Sequence, residues 1–496
     1  MSLSHLKSII HQWVLKKEYH SLLGDCLVDH TDYLEDGCIF VDLTQDIRVS
    51  QRHWQVAREK GAMAIITHHQ FCSDMKELPI VYVPDLKKQI PDLAACFYGF
   101  PASQMFVFGV TGTNGKTSVA HMLASCLHAM GEKVGYIGTL GYTTIFDLHD
   151  KPRFKKTITT TPSAVQLQRI LAEFNKLGAS SVCMEISSHG IVQGRIKAIP
   201  IDIAAFTNLS RDHLDFHKTM FDYGKAKKRL FTDYSVNHSL INVTDPLGES
   251  IFKDASGVKF SVAKEDTADG SYKIFQSSSQ GLKFVMTYRS KSYTIQSKLI
   301  GDFNAENMSI VWMTLVVMGY DPDVVTEVLS NIRPLPGRMQ ICPQQALKPI
   351  VVVDYAHTPS SLEKALTVLK KFTQKKLWCV FGCGGDRDRG KRALMGQIAE
   401  RLADRVVITQ DNSRSEDPDV IASDILNGMI CPWAAEMDME RQDAIVRAIH
   451  DAEPGDIILI AGRGHESHLV IGDNLVPCDD FQVACHALGV ACVESV

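Results

Sequence analysis

Gly112-Thr113-Asn114-Gly115-Lys116-Thr117 follows a strand-like run, Met105 to Val110, and precedes a helical pattern. Phosphates need backbone N–H groups that can approach closely, which glycines permit, and a helix N-terminus whose dipole favours anions. They also need a lysine for the β/γ-phosphates and a hydroxyl for magnesium, the types supplied by Lys116 and Thr117. The stretch departs from a strict phosphate-loop pattern: Val110 stands where the first glycine belongs and Gly109 comes one residue early. A chance Gly-Lys-Thr turn is the alternative. The strand–loop–helix context favours phosphate binding.

A second signal lies in polar clusters that each follow an apolar run: Asp354-Tyr355-Ala356-His357, Gly382 to Arg387, Asp411-Asn412-Ser413-Arg414, and Gly462-Arg463-Gly464-His465-Glu466. Ligands of open α/β sheets bind outside the carboxyl ends of the strands. Four such loops in succession point to a site. A third signal is Glu185 in Met184-Glu185-Ile186-Ser187-Ser188-His189, with Asp212-His213-Leu214-Asp215 further on. Magnesium takes hard oxygen ligands plus phosphate oxygens, and Glu185 offers one. His213 read from the residues alone is a hydrogen-bonding group, because histidine is an unusual magnesium ligand. The runs Lys225, Lys227, Lys228, Arg229 and Lys151, Arg153, Lys155, Lys156 read as solvated charge.

The elements that must position these groups form three blocks. Residues 1–102 hold short apolar runs (Cys38 to Val41, Ala62 to Ile66, Ile80 to Val83) and end at Gly99-Phe100-Pro101. Residues 103–334 alternate strand-like runs (Val182 to Ile186, Ile203 to Phe206, Ser239 to Val243) with helical stretches, Val119 to Met130 and Ala164 to Leu177, which implies a parallel sheet covered on both faces. Residues 258 to 299 read as antiparallel hairpins on its edge. After the break at Pro334-Leu335-Pro336-Gly337, residues 335–496 carry apolar runs at Ile350 to Val353, Leu377 to Phe381, Val406 to Ile408 and Ile457 to Ile460, a second doubly wound unit. The fold class is α/β.

Composition narrows the function. A chain of 496 residues with 45% hydrophobic residues can bury several cores. Its net charge of -5 argues against nucleic-acid binding by a general positive field. Thirteen scattered cysteines read as reduced thiols in a cytoplasmic protein, neither a disulfide frame nor a zinc site. No run reaches the ~18 apolar residues of a membrane span; Ile310 to Met318 is too short. Leu6, Ile9, Ile10, Trp13 and Val14 make the stripe of an amphipathic docking helix rather than a signal peptide.

Taken together, the phosphate-loop stretch, Thr160-Thr161-Pro162-Ser163-Ala164, Met184 to Gly190, Thr207 to Asp215, Phe303-Asn304-Ala305-Glu306-Asn307, Pro336-Gly337-Arg338-Met339 and the four C-terminal loops resemble the Mur ligases of peptidoglycan synthesis. The match runs in order from about residue 105 to 475. The resemblance implies a central ATP-binding domain, a Rossmann-like C-terminal domain and a smaller leading domain for the UDP substrate. It implies an ATP-dependent amide ligase that joins a diamino acid to UDP-MurNAc-L-Ala-D-Glu through an acyl phosphate. Gly112, Thr113, Asn114, Gly115, Lys116 and Thr117 would bind ATP, with Asn304 and Asn307 on the adenine side and Arg338, Asp354, His357 and Lys391 facing it. Thr117, Glu185 and His213 would meet magnesium, and Lys227 matches a lysine that the family carries as a carbamate. Lys116, Lys227, His213 and Glu185 would be the catalytic group. Thr160, Thr161, Ser187, Gln193 and Arg195 fall where the UDP-MurNAc-dipeptide is gripped. Arg387, Asp411, Asn412, Arg414, Gly462 and Glu466 fall where the incoming amino acid is held. The partners implied are small molecules, with a monomer as the working state.

The leading domain departs from the pattern, with Asp29-His30-Thr31 and Leu43 to His53 in place of the uridine-side motifs. Thr159 replaces an asparagine, Arg463 a lysine and Ser413 a proline, which loosens the loop's φ restriction. Arg414 would pair with the second carboxylate of meso-diaminopimelate as a planar fork, and Glu466 would take the distal ammonium; lysine, without that carboxylate, would leave the fork unpaired. The alternatives are a ligase adding L-lysine, a folylpolyglutamate synthase-like ligase, or an Arg414 paired only with Glu416 or Asp417.

Overall fold

The computed structural model describes residues 26–70, 78–145, 154–264 and 268–492. The expected helix around Leu6 to Val14 lies outside them, as do Lys151 and Arg153. The first sheet is parallel, β1 (Leu27–Val28), β2 (Ile39–Asp42), β3 (Ala64–Thr67) and β4 (Ile80–Tyr82) in that order. Its apolar residues pack on both faces. One core includes Trp54 and Ala57 of the helix Ile47–Glu59; the other includes Leu86, Ile90 and Leu93 of the helix Leu86–Phe97 together with Val165.

Cys26 and Cys38 form a disulfide, which corrects the expectation of reduced thiols throughout. The register of β1 against β2 sets Leu27 opposite Ile39, so the residues just ahead of each strand face one another. Ten other cysteines among the described residues form no disulfide.

The second sheet has ten strands: β5 (Phe106–Thr111), β6 (Val134–Gly138), β7 (Gly141–Ile145), β8 (Ser181–Glu185), β9 (Ile201–Phe206), β10 (Val236–Asn242), β11 (Val258–Lys264), β12 (Gly270–Ser278), β13 (Gly281–Tyr288) and β14 (Lys291–Ser297). Their order is β14-β13-β12-β11-β10-β9-β5-β8-β6-β7. The segment 258–299 differs from the expected hairpins in one respect. β11 joins β10 in parallel and β12 joins β11 in parallel, and only β12 to β14 run antiparallel. The run near Ile310 belongs to the helix Asp302–Val317, whose sides are buried nearly all round. No described helix is long and apolar enough to cross a membrane.

The third sheet orders β15 (Gln340–Ile341), β16 (Ile350–Asp354), β17 (Leu377–Phe381), β18 (Arg405–Ile408), β19 (Glu436–Met437) and β20 (Ile457–Ala461) as β15-β16-β20-β17-β18-β19, parallel apart from β15. The helices Pro359–Phe372, Gly390–Leu402 and Pro418–Leu426 cover one face; Arg441–Asp451 and Asp480–Leu488 cover the other. A short antiparallel pair, β21 (His468–Ile471) and β22 (Asn474–Pro477), follows β20. The carboxyl ends of β16, β17, β18 and β20 therefore open into the four polar loops.

The chain divides into two compact units. The first takes residues up to Gly109, Gly131–Ile203 and Asp233–Asn237; the second takes Val110–Met130, Ala204–Thr232 and the chain from His238 onward.

Candidate active site

In the second unit, β5 leads into the glycine loop and the helix Lys116–Ala129. Gly112 has φ +154°, and a Cβ there would stand 1.9 Å from Thr207 Oγ1; at Gly115, φ +88°, it would stand 2.4 Å from Asn307 Oδ1. Only glycine fits either place. The Thr113 N–H donates to the Asn208 carbonyl at 2.8 Å and the Asn114 N–H to Asn208 Oδ1 at 3.0 Å, so the Thr207-Asn208 segment carries the loop. Lys116 Nζ donates to the carbonyls of Gly112 and Thr113, both at 2.9 Å. Thr117 Oγ1 accepts from Arg338 Nη2 at 3.0 Å. Arg338 stacks on the Tyr355 ring, 4.4 Å from its centroid, and its Nε is buried with no hydrogen-bond partner. A guanidinium with an unused donor beside a phosphate loop suits a polyphosphate. Asn307 Nδ2 donates to Asn304 Oδ1 at 3.5 Å on the helix behind the loop.

The basic run does not read as a solvated face. Lys227 is 1% exposed, its Nζ donates to the Gly112 carbonyl at 2.6 Å and lies 4.4 Å above the Tyr223 ring. Burial first, then the charge of Lys116, holds its amine well below the ordinary lysine range, against the opposing pull of Asp212. Lys228, one residue on, bonds Asp254 and Ser250 instead. Lys155 of the other run pairs with Glu173.

Asp212 gathers the remaining cations. Burial pushes its carboxyl up, but the His357 hydrogen bond and the charges of Lys391, His213 and His357 outweigh that and hold it well below the usual range. His213 Nε2 stands 3.4 Å and His357 Nε2 3.7 Å from Asp212 Oδ2. Arg211, next in chain, pairs with Asp388 at 3.1 Å. Asp354, raised chiefly by burial, accepts from the Met339 N–H at 2.7 Å.

The residues expected to grip the UDP substrate lie in the first unit, with Glu185. Tyr136 Oη and the Thr139 N–H donate to Glu185 Oε1 at 2.7 and 2.8 Å, and Thr139 Oγ1 donates to Oε2 at 3.1 Å. Thr139 Oγ1 also meets Thr160 Oγ1 at 3.2 Å. Thr161 Oγ1 donates to the Glu185 carbonyl at 2.8 Å and accepts the Ser187 N–H at 2.9 Å. Arg195 donates to Gln193 Oε1 at 2.9 Å and to Thr159 Oγ1 at 2.9 Å. Asp29 of the divergent leading segment accepts from Ser163 Oγ at 2.9 Å.

The C-terminal loops form the third grouping. Asn412 Nδ2 donates to Glu466 Oε2 at 2.8 Å, and Asn412 Oδ1 accepts the Val470 N–H at 2.8 Å. A Cβ at Gly462 would come 2.8 Å from Asp411 Oδ2. Arg414 has φ +52°, a left-handed conformation that a proline at 413 would not itself supply, and its Nη1 donates to the Gly385 and Asn412 carbonyls at 2.7 and 3.3 Å. It does not pair with Glu416, whose carboxylate takes both Nη groups of buried Arg392 at 2.8 and 2.9 Å. Burial and the nearby Arg387 charge both lower the Arg414 affinity for its proton. Glu466 is raised by burial first and by Asp411 second.

Sequence reasoning named Asp212 without giving it a role, and passed over Thr139 and Tyr136, which bond Glu185, and Arg392 and Arg441, whose partners lie far away in the chain. Magnesium takes one or two carboxylates plus phosphate oxygens rather than a full protein cage. Thr117 in the second unit and Glu185 in the first each offer a hard oxygen of that kind, and among the described residues no cluster of three acidic, histidine or cysteine side chains forms a cage.

The Mur ligase middle domain matches residues 110–315 and the Mur ligase glutamate ligase domain matches 337–464. The UDP-N-acetylmuramoyl-L-alanyl-D-glutamate--2,6-diaminopimelate ligase of Vibrio vulnificus is 37% identical, covering 98% of this chain and 99% of its own. The Coxiella burnetii protein of that name is 40% identical, over 87% of this chain and 88% of its own. A solved structure of a ligase of that name superposes with a TM-score of 0.61 at 31% identity, covering 94% of both chains. The Thermotoga maritima MurF ligase in complex with ADP shares the fold, with a TM-score of 0.66 at 16% identity over 94% of this chain and 96% of its own. With both domain patterns present in order and relatives matched over nearly their whole length, the chain belongs to the Mur ligase family.

Proposed function

We propose that this protein is the ATP-dependent ligase that adds meso-2,6-diaminopimelate to UDP-N-acetylmuramoyl-L-alanyl-D-glutamate. The observation that carries the amino-acid choice is half-buried Arg414, close enough to exposed Arg387 for the two charges to interact, with Glu466 held by Asn412 for the distal ammonium. The names of the relatives point the same way.

In the reaction, the D-Glu γ-carboxylate attacks the ATP γ-phosphorus and ADP leaves, giving an acyl phosphate. The diaminopimelate amine then attacks the acyl carbon through a tetrahedral intermediate that expels phosphate. Phosphoryl transfer asks chiefly for position and charge. Lys116, Arg338 and the loop N–H groups supply these at the phosphates, while Asn304 and Asn307 border the nucleotide. Thr117, Glu185 and His213 are the groups that would hold magnesium, which would neutralise phosphate charge. Lys227 suits the carbamate role because a desolvated, neutral amine is the form that adds carbon dioxide, and the product replaces a cation with an anion facing magnesium. Thr160, Thr161, Ser187, Gln193 and Arg195 grip the UDP-MurNAc-dipeptide. Residues 1–102, 103–334 and 335–496 act as the UDP-substrate, ATP and amino-acid domains of a cytoplasmic monomer.

Phosphate release from ATP tests this. It should require UDP-MurNAc-L-Ala-D-Glu together with diaminopimelate and proceed poorly with lysine. Release that ignores the amino acid, or comparable use of lysine, would overturn the reading.

A further inference from the structure

Arg441 is 1% exposed and sits at the start of the helix Arg441–Asp451. Its Nε and Nη2 grip the two oxygens of Asp480 at 2.8 and 2.7 Å, and Asp480, the first residue of the helix Asp480–Leu488, is itself fully buried. The remaining donors do something less ordinary. Nη1 donates to the Gln410 carbonyl at 3.1 Å and Nη2 to the Ala461 carbonyl at 3.0 Å. Gln410 immediately precedes the loop Asp411 to Arg414, and Ala461 immediately precedes the loop Gly462 to Glu466.

β18 and β20, which feed those loops, are not neighbours in the sheet; β17 lies between them. The ladders through β17 end at Ile408 and Ile460, short of the loop roots Gln410 and Ala461. One guanidinium joins those roots, reaching both carbonyls past the end of β17, where Gly382 leaves so little room that a Cβ would meet the Thr409 carbonyl at 2.2 Å. Arg463, 0% exposed, adds to the brace. Its Nη1 lies 3.7 Å from Asp480 Oδ1 and donates to the Cys478 carbonyl at 3.2 Å. A buried ion pair seldom adds net stability over an apolar replacement, so its hydrogen bonds to the two loop roots are the more telling feature.

We propose that Arg441, held by Asp480, is a positioning residue of the amino-acid site that fixes the separation of the loops carrying Asn412 and Glu466. The proposal rests on the reading of those loops as the diaminopimelate site. Displacement of a binding group by an ångström costs up to about a hundredfold, and the brace acts on that coordinate.

The test measures KM for all three substrates, kcat and melting temperature in wild type, Arg441→Lys and the double variant Arg441→Met/Asp480→Leu. Arg441→Lys keeps the charge and loses the fork. It should raise KM for diaminopimelate roughly tenfold or more, leaving KM for ATP and for the UDP-MurNAc-dipeptide within about twofold. The double variant removes the buried pair together, should still fold, and should keep the raised diaminopimelate KM. Where Arg441→Lys fails to fold, the double variant decides alone. An unchanged diaminopimelate KM, or equal rises for all three substrates, would leave Arg441 a structural group and overturn the inference. Wild type that shows no diaminopimelate-dependent phosphate release would instead overturn the functional reading itself.

Discussion

The phosphate loop and the C-terminal loop cluster are both made at the carboxyl ends of parallel strands, yet they are held in different ways. The phosphate loop is contiguous. Its two glycines, its N–H bonds to Asn208 and the fold-back of Lys116 all lie within it or on the adjoining β9 end. The C-terminal loops are set by charges brought from elsewhere: Arg392 joins the Gly384 carbonyl to Glu416 and Asp424, and Arg441 joins two loop roots to Asp480. A backbone-built loop concentrates function in a few residues that touch substrate. A loop set braced by distant arginines spreads it, so that substitutions at a distance act on specificity as well as stability.

The sharpest way to break that contrast is Lys116→Ala. It should cut ligation by about a thousandfold or more without unfolding the protein, as loss of a positioned charge at developing anions does. Near-normal turnover in a folded variant, checked by circular dichroism, would remove the phosphate-loop side of the comparison. Lys227→Ala should follow, losing on the order of a hundredfold or more, with partial rescue by small carboxylic acids that place an anion in the gap. Lys228→Ala, which loses an exposed pair, should remain close to wild type. Equal losses at both lysines without rescue would reject the carbamate role.

Arg414→Ala should act on selectivity rather than on overall rate. The ratio of kcat/KM for diaminopimelate over lysine should fall by about a hundredfold. An alanine variant that prefers diaminopimelate as strongly as wild type would refute the fork. Arg392→Ala should lower stability by about 2 kcal/mol in denaturant titration, short of the full buried-pair loss because Glu416 and Asp424 can regain water. The smallest effect is in pH dependence. Glu466 is held above the ordinary glutamate range by burial, and it must be ionised to take an ammonium. KM for diaminopimelate should therefore rise on acidification at a higher pH than an exposed glutamate would give, and Glu466→Gln should flatten that rise.

The same contrast explains what could be read from residues in order. The strands β5, β8, β9, β16, β17, β18 and β20 were visible as apolar runs because both faces of a parallel sheet are covered. Lys116 and Thr117 were visible because the glycine loop is local. From the residues alone Lys227 reads as surface charge, and only the family resemblance singles it out; the helix Met220–Thr232 turns it toward the Gly112 carbonyl while Lys228 bonds Ser250. That distinction lies in packing and not in composition. The parallel pairing of β11 and β12 was missed because alternation along a strand carries no sign of its neighbour's direction. The Cys26–Cys38 disulfide was missed for a similar reason: strand register, rather than the number of cysteines, set the two opposite one another. Arg441 and Asp480 carry no local signal at all.

Gly337 and Gly464 meet where the chain enters the third sheet. A Cβ on Gly337, φ +65°, would lie 2.6 Å from the Gly464 Cα, and a Cβ on Gly464, φ +55°, would lie 2.7 Å from the Gly337 carbonyl oxygen. Arg338 follows the first glycine and Glu466 lies two residues past the second. Neither site can drift by ordinary single-residue replacement, and a change at one cannot be compensated at the other, because both lack the same small volume. The spacing between the arginine after one glycine and the amino-acid loop after the other is therefore set by backbone resting on backbone at this crossing.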